Sequence, residues 1–179
     1  MSDVARGDPP SEFVVHWARA LADHVPAPRR ALDVAMGRGR HVETLVRAGY
    51  RVFGVDAKLD AVRGAVSAAA ARGLVVRGWC ADLTGHPLPR GRFELIVVTR
   101  YLQRDLFPAI ARALGPGGVV LYETFTTGQR ALGRGPTSPD HLLGPGELRT
   151  LFAGLEVLFY EEVTAADAVA RIVGRRASA

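Results

Sequence analysis

The stretch ALDVAMGRGRHVETLVRAGYRVFGVD, residues 31–56, decides the fold of this chain. An apolar segment at 31–35 leads into a glycine loop at 37–39, and apolar residues then recur at helical spacing. Gly49 is typical of a helix C-terminus, and a second apolar segment at 50–55 ends at Asp56. The order strand, glycine loop, helix, strand and terminal acid predicts one βαβ unit of a nucleotide-binding sheet.

The loop and its neighbouring acids indicate which kind of ligand this unit binds. A dinucleotide fingerprint, G-x-G-x-x-G/A, has a small third residue where this chain has Val42. Asp33, four residues before Gly37, brings a carboxylate that repels a pyrophosphate but suits a cationic amino acid. S-adenosylmethionine carries an ammonium, a sulfonium and no phosphate. We expect Asp56 to accept hydrogen bonds from both ribose hydroxyls of such a cofactor.

At these residues the chain resembles the class I S-adenosylmethionine-dependent methyltransferases, whose loop reads D-x-G-x-G-x-G. It departs once, with Ala35 at the first glycine, which is a mild departure if φ of that residue is negative. The resemblance implies that Asp82, after the third strand, accepts a hydrogen bond from the adenine amino group, although a loop cap is the common alternative. The predicted cofactor-binding residues are Asp33, Ala35, Gly37, Gly39, Asp56, Ala57, Ala81, Asp82 and Thr99.

Length and composition favour one soluble domain. The chain has 179 residues, of which 48% are hydrophobic and 23% charged, as in ordinary globular proteins. No apolar run reaches the roughly 20 residues that span a bilayer, and residues 1–10 contain no apolar signal region. The single cysteine fits a reducing compartment. We expect a flexible tail at 1–10, one methyltransferase domain at 11–179, a cytoplasmic location and no membrane partner.

The net charge of +5 does not indicate a nucleic-acid partner. Lys58 is the only lysine, and the arginines are scattered rather than clustered into a patch that could follow a phosphate backbone. We therefore expect a small-molecule methyl acceptor and no nucleic acid. No group of His, Cys, Asp and Glu has the spacing of metal ligands, so we expect no metal.

The remaining chain alternates between strand and helix patterns. Further strands are predicted at 74–81, 93–98, 119–122, 155–162 and 168–175, and further helices at 11–23, 58–72, 106–114 and 146–153. With the closing hairpin, the resemblance implies an α/β, doubly wound, Rossmann-like sheet of seven mostly parallel strands, in the order 3-2-1-4-5-7-6 with strand 7 antiparallel. Residues 84–92 contain too much Pro and Gly for a helix. Residues 124–146 lack periodicity and are predicted to form a mobile lid over the methyl-bearing face.

The carboxyl third resembles the tellurite-resistance methyltransferase group. The similar segments are LLGPGELR at 142–149, LEV at 155–157 and YEE at 160–162, together with GRGR at 37–40. This resemblance implies methylation of tellurium and selenium oxyanions or related soft nucleophiles. The His-Arg element expected between the last two strands of that group is absent from VTAAD at 163–167.

Two residues are candidates for a catalytic role. Tyr101 and Glu123 follow strands whose carboxyl ends face the predicted pocket, although a soft or anionic nucleophile needs no general base.

The N/D-P-P-Y/F motif of methyltransferases that act on DNA bases is absent after the fourth strand, and Asp8-Pro9-Pro10 is interpreted as a coincidence in the tail. A cofactor-binding module without turnover and an RNA-modifying enzyme remain the alternatives to a small-molecule methyltransferase.

Overall fold

Seven strands form a single sheet in the computed structural model, which describes residues 8–85 and 88–178. The strands are β1 Arg30–Val34, β2 Arg51–Asp56, β3 Val76–Cys80, β4 Phe93–Thr99, β5 Leu114–Phe125, β6 Glu156–Thr164 and β7 Ala168–Arg175. Their order is β3-β2-β1-β4-β5-β7-β6, with β1 to β5 paired in parallel and β7 antiparallel to both of its neighbours. The predicted fold class and strand order are confirmed.

Helices cover both faces of this sheet. They are α1 Glu12–Ala20, α2 Val42–Arg47, α3 Leu59–Ala70, α4 Phe107–Ala113 and α5 Glu147–Leu151. The central strands are buried on both sides, because alternate side chains of a strand point to opposite faces. In β4, Leu95 and Val97 pack with α1, α2 and α3, whereas Ile96 and Val98 pack with α4 and α5.

Two aromatic side chains of α1 pack against the edge of the sheet. The rings of Phe13 and Trp17 lie 6.2 and 5.5 Å from that of Phe159 in β6, the edge strand. This packing holds α1 against the β6 edge of the sheet. Residues 1–7 of the predicted tail lie outside the described residues.

Residues 124–146 contain more structure than their sequence pattern indicates. The strand β5 continues to Phe125, and two 3₁₀ turns follow at Thr127–Leu132 and Pro139–His141. Gln129 is completely buried, and its amide accepts a hydrogen bond from the Ala168 N–H at 2.7 Å. Such turns have no long hydrophobic period, so the periodicity of the sequence does not reveal them. The mobility of this segment remains a prediction.

Candidate cofactor and acceptor site

A groove of about 1350 Å³ runs along the glycine loop and the carboxyl ends of β1 and β4. Ligands of open α/β sheets bind at this edge, where the strand order reverses. The groove brings together five of the residues predicted from the sequence, namely Asp33, Ala35, Gly37, Gly39 and Thr99. Asp56 lies beside it and contacts its loop.

Asp33 presents a buried carboxylate to this groove. Its side chain is 1% exposed, and its Oδ2 has no hydrogen-bond partner among the described residues. Nδ1 of His41 lies 3.5 Å from this oxygen. Because a buried charge without full compensation is costly, the arrangement suits a ligand that brings a positive charge. The ammonium of S-adenosylmethionine fits this requirement.

Asp56 holds the glycine loop against the next helix. Its Oδ2 accepts a hydrogen bond from the Gly37 N–H and its Oδ1 accepts one from the Lys58 N–H, both at 2.9 Å. A carboxylate has about four lone-pair sites, so two remain for ribose hydroxyls. Asp56 therefore stabilises the loop in the unliganded protein.

The backbone of the loop departs from expectation at Ala35. Its φ is +52°, whereas the sequence interpretation rested on a negative value. In this left-handed conformation an alanine is about 1–2 kcal/mol less stable than a glycine.

The two loop glycines have different roles. A Cβ at Gly39 would lie 3.0 Å from Ala65 Cβ of α3 and from Val42 Cγ2, so Gly39 permits close packing of the loop against α3. A Cβ at Gly37 would meet nothing within 4 Å, so Gly37 borders the open space of the groove.

Besides Asp56, three predicted cofactor residues lie outside the lining of this groove. Asp82 is exposed, and its Oδ1 accepts hydrogen bonds from the N–H and the hydroxyl of Thr84, at 3.0 and 2.7 Å, as in a loop cap. Ala81 borders an apolar cavity of about 460 Å³ with Trp79 and other side chains. The carbonyl of Ala57 accepts a weak bond from the Cys80 thiol. Their roles in cofactor binding remain predictions.

Both candidate bases, Tyr101 and Glu123, already form side-chain hydrogen bonds within the protein. The Tyr101 hydroxyl donates to Oε1 of Gln103, and burial, followed by the charge of Asp82, raises the pKa of this phenol above its usual value. Glu123 is 7% exposed and accepts a hydrogen bond from Nε of Arg171 at 2.6 Å. This geometry favours positioning roles, while the catalytic assignment of both residues remains a prediction.

Several contacts at the site join residues that are distant in the sequence, and only the structure shows them. The Ser11 N–H donates to Nε2 of the buried His41 at 3.3 Å. Nη2 of Arg40 donates to Oγ1 of Thr99 at 2.9 Å, and Nη1 of Arg100 lies 3.0 Å from Oδ2 of Asp8. Asp8-Pro9-Pro10, interpreted from sequence as a coincidence in the tail, therefore borders the groove. Asp8 and Arg100 are 92 positions apart, so no local sequence pattern predicts their contact.

The described part of the chain has neither a cluster of metal ligands nor a membrane-spanning helix. Within residues 8–85 and 88–178, no group of three or more His, Cys, Asp or Glu side chains is arranged to hold a metal ion. No helix in those ranges has the length and apolar character needed to cross a membrane.

Comparisons with known proteins agree with this geometry. Residues 31–118 match the sequence profile of a family described as a methyltransferase domain. No curated protein sequence matches the chain.

Similar solved structures include TehB from Haemophilus influenzae, with a TM-score of 0.78 and 17% identity over 96% of this chain and 64% of that one. An S-adenosylmethionine-dependent methyltransferase from Clostridium acetobutylicum ATCC 824 has a TM-score of 0.75 and 14% identity over 97% and 94%. The [4+2]-cyclase SpnF has a TM-score of 0.73 and 17% identity over 97% and 86%. The chain thus has the α/β Rossmann-like fold of S-adenosylmethionine-dependent methyltransferases.

Proposed function

We propose that this protein is an S-adenosylmethionine-dependent methyltransferase that acts on a small molecule. The observation that carries the proposal is the buried Oδ2 of Asp33, which has no hydrogen-bond partner among the described residues and lies at the end of β1 beside the glycine loop. The methyltransferase-domain profile over residues 31–118 supports the same ligand.

Different residues in or beside the groove would bind different parts of the cofactor. Asp33 would hold the ammonium, Gly37 would allow the backbone to approach the ligand, and Asp56 would accept the ribose hydroxyls. Thr99, at the end of β4, would lie toward the acceptor side. When bound, S-adenosylmethionine supplies an electrophilic methyl group on a sulfonium. The protein's contribution is to hold the acceptor in a near-attack geometry, which is worth roughly 7–11 kcal/mol of barrier.

The proposed acceptor is a soft or already anionic nucleophile. Such a nucleophile needs no general base, which agrees with a Tyr101 that stays protonated and a Glu123 engaged by Arg171. The resemblance of residues 142–162 to the tellurite-resistance group favours an oxyanion of tellurium or selenium as one such acceptor. A cytoplasmic location completes the proposal, because the single exposed Cys80 thiol fits a reducing compartment.

The alternative is a cofactor-binding protein that does not transfer the methyl group. Its support is the similarity to the [4+2]-cyclase SpnF, because a shared fold does not determine the reaction. Release of S-adenosylhomocysteine on addition of small nucleophiles distinguishes the two functions. An RNA-modifying role has weaker support, because the arginines are dispersed along the sequence.

The decisive experiment titrates S-adenosylmethionine into the wild type and into Asp33→Asn by calorimetry. An amide of the same size carries no charge and cannot form an ion pair with an ammonium. The variant should therefore bind the cofactor at least about tenfold more weakly. Asp23→Asn is the control, because the Asp23 side chain is 89% exposed and far along the sequence from the loop. Wild-type protein that does not bind the cofactor, or an Asp33→Asn variant that binds it equally well, would overturn the proposal.

A further inference from the structure

Arg40 is a partly buried cation whose direct partners are neutral. Its Nη2 donates to Oγ1 of Thr99 at 2.9 Å and its Nη1 to the carbonyl of Pro9 at 3.4 Å. Among the described residues, no carboxylate lies within ion-pair distance of this guanidinium, and Glu123 and Asp33 act on it only at longer range. Burial, followed by the positive charge of Arg100, lowers the pKa of Arg40 from its usual value. A guanidinium in this position favours a ligand with negative charge.

Arg100 brings a second guanidinium to the same end of the groove. It follows β4 directly, has a φ of +55°, and its N–H donates to the carbonyl of Glu123 at 2.9 Å. A left-handed non-glycine residue is uncommon and is found preferentially at functional sites. Nη1 of Arg100 pairs with Oδ2 of Asp8 at 3.0 Å, and its Nη2 lies 3.9 Å from Asp167.

Asp8 reaches this cation from the segment that precedes α1. The segment is anchored at its other end, where the Ser11 N–H donates to the His41 ring. The Asp8–Arg100 pair is itself weak, since the two side chains are 72% and 46% exposed, and exposed ion pairs contribute little. A carboxylate held loosely beside two guanidiniums can be replaced by another anion.

We propose that Arg40 and Arg100 form an anion subsite for the methyl acceptor, and that Asp8 occupies this subsite when no acceptor is bound. The inference rests on the proposed function and refines its substrate. The acceptor would be a small molecule whose carboxylate, or other oxyanion group, binds the two guanidiniums beside Thr99. Four carboxylates surround the pair, namely Asp8, Asp33, Glu123 and Asp167. They do not cancel this preference, because Asp8 is the group that the acceptor displaces and Asp33 is assigned to the cofactor ammonium. Glu123 is bonded to Arg171, and Asp167 also lies 3.5 Å from Arg134.

The test uses probes that differ in charge. Thioglycolate is a thiol with a carboxylate, 2-mercaptoethanol is a neutral thiol, and selenite is an oxyanion without a carboxylate. Each is titrated into protein saturated with S-adenosylhomocysteine, and turnover of each is measured as S-adenosylhomocysteine release from S-adenosylmethionine. The wild type should have a higher kcat/KM for thioglycolate or selenite than for 2-mercaptoethanol. Whichever of the two anions has the higher kcat/KM shows whether the acceptor carries a carboxylate or is an inorganic oxyanion.

Variants of the subsite give separate expectations. Arg40→Gln and Arg100→Gln should each weaken anion binding by at least about tenfold, and each should lower kcat/KM for the preferred anion by a larger factor than kcat/KM for 2-mercaptoethanol. Asp8→Asn should lower KM for the preferred anion several-fold with kcat unchanged, because the competing carboxylate is gone. Arg63→Gln, which removes an exposed charge from α3, is the matched control and should change neither.

Three results would overturn the subsite. These are no binding of either anion to wild type or Asp8→Asn, equal loss of neutral and anionic turnover in Arg40→Gln, and an unchanged KM in Asp8→Asn. Cofactor binding measured on the same samples separates these failures from failure of the proposed function. Normal affinity for S-adenosylmethionine without an anion preference removes the subsite alone.

Discussion

Nδ1 of His41 lies 3.5 Å from Oδ2 of Asp33, and each side chain is only 1% exposed. Nε2 of the same ring accepts the Ser11 N–H, so in the neutral imidazole the proton is carried by Nδ1, toward Asp33. His41 therefore links the start of α1 to the carboxylate that is proposed to bind the cofactor. We interpret His41 as a positioning residue for Asp33.

Replacement of His41 tests this role. His41→Leu removes the polar ring that lies beside Asp33 and accepts the Ser11 N–H. We expect cofactor affinity to fall about tenfold, because a carboxylate that is no longer held in place loses part of its charge-assisted contact with the ligand. His41→Asn retains a side-chain N–H and should recover much of that affinity. Calorimetric titration with S-adenosylmethionine measures both variants. If His41→Leu binds as well as the wild type, the histidine only fills space.

Asp56 couples cofactor binding to loop stability. Asp56→Ala removes the acceptors for the Gly37 and Lys58 N–H groups, and with them the proposed ribose contacts. We expect affinity for S-adenosylmethionine to fall at least about tenfold and the unliganded protein to lose about 1–3 kcal/mol, or several degrees of Tm. Calorimetry and thermal melts measure the two effects, with Asp23→Ala as the exposed control. An unchanged affinity with reduced Tm would restrict Asp56 to holding the loop.

Ala35 and Gly37 form a matched pair for backbone strain. Both have a φ slightly above +50°, so Ala35→Gly should relieve strain and Gly37→Ala should introduce it. We expect Ala35→Gly to stabilise the protein by up to about 1 kcal/mol, or roughly 2–4 °C in Tm, and Gly37→Ala to destabilise it by a similar amount. Melting of the unliganded variants measures this. A lower Tm for Ala35→Gly would show that the strain is offset elsewhere.

The pH dependence of activity tests Tyr101 as a base. Burial, followed by the charge of Asp82, raises the pKa of this phenol above its usual value, so the side chain stays protonated from pH 7 to 9. Tyr101→Phe should therefore retain the same shape of the kcat/KM profile between pH 7 and 9. Steady-state turnover of both proteins over this range is the measurement. A rising limb near pH 8 that disappears in the variant would assign Tyr101 as the base after all.

The interpretation of the sequence was most accurate where neighbouring residues determine the structure. The strand, loop, helix and strand of residues 31–56 follow from periodicity and glycine placement, and each appears within one or two residues of its prediction. The condition set for Ala35, a negative φ, is not met. Alanine is compatible with ordinary backbone geometry, so its sequence signature contains no sign of the positive φ that the turn imposes.

The sequence by itself determined the alternation of elements and the acids at the strand ends, because these depend on side-chain periodicity and on turns between neighbours. Only the tertiary structure decided which residues share the groove with them. Arg40 meets Thr99 across 59 positions and Asp8 meets Arg100 across 92. Contacts at such separations arise from the stacking of strands and from the path of the chain into α1, and no local pattern encodes which distant partner a charged side chain will reach.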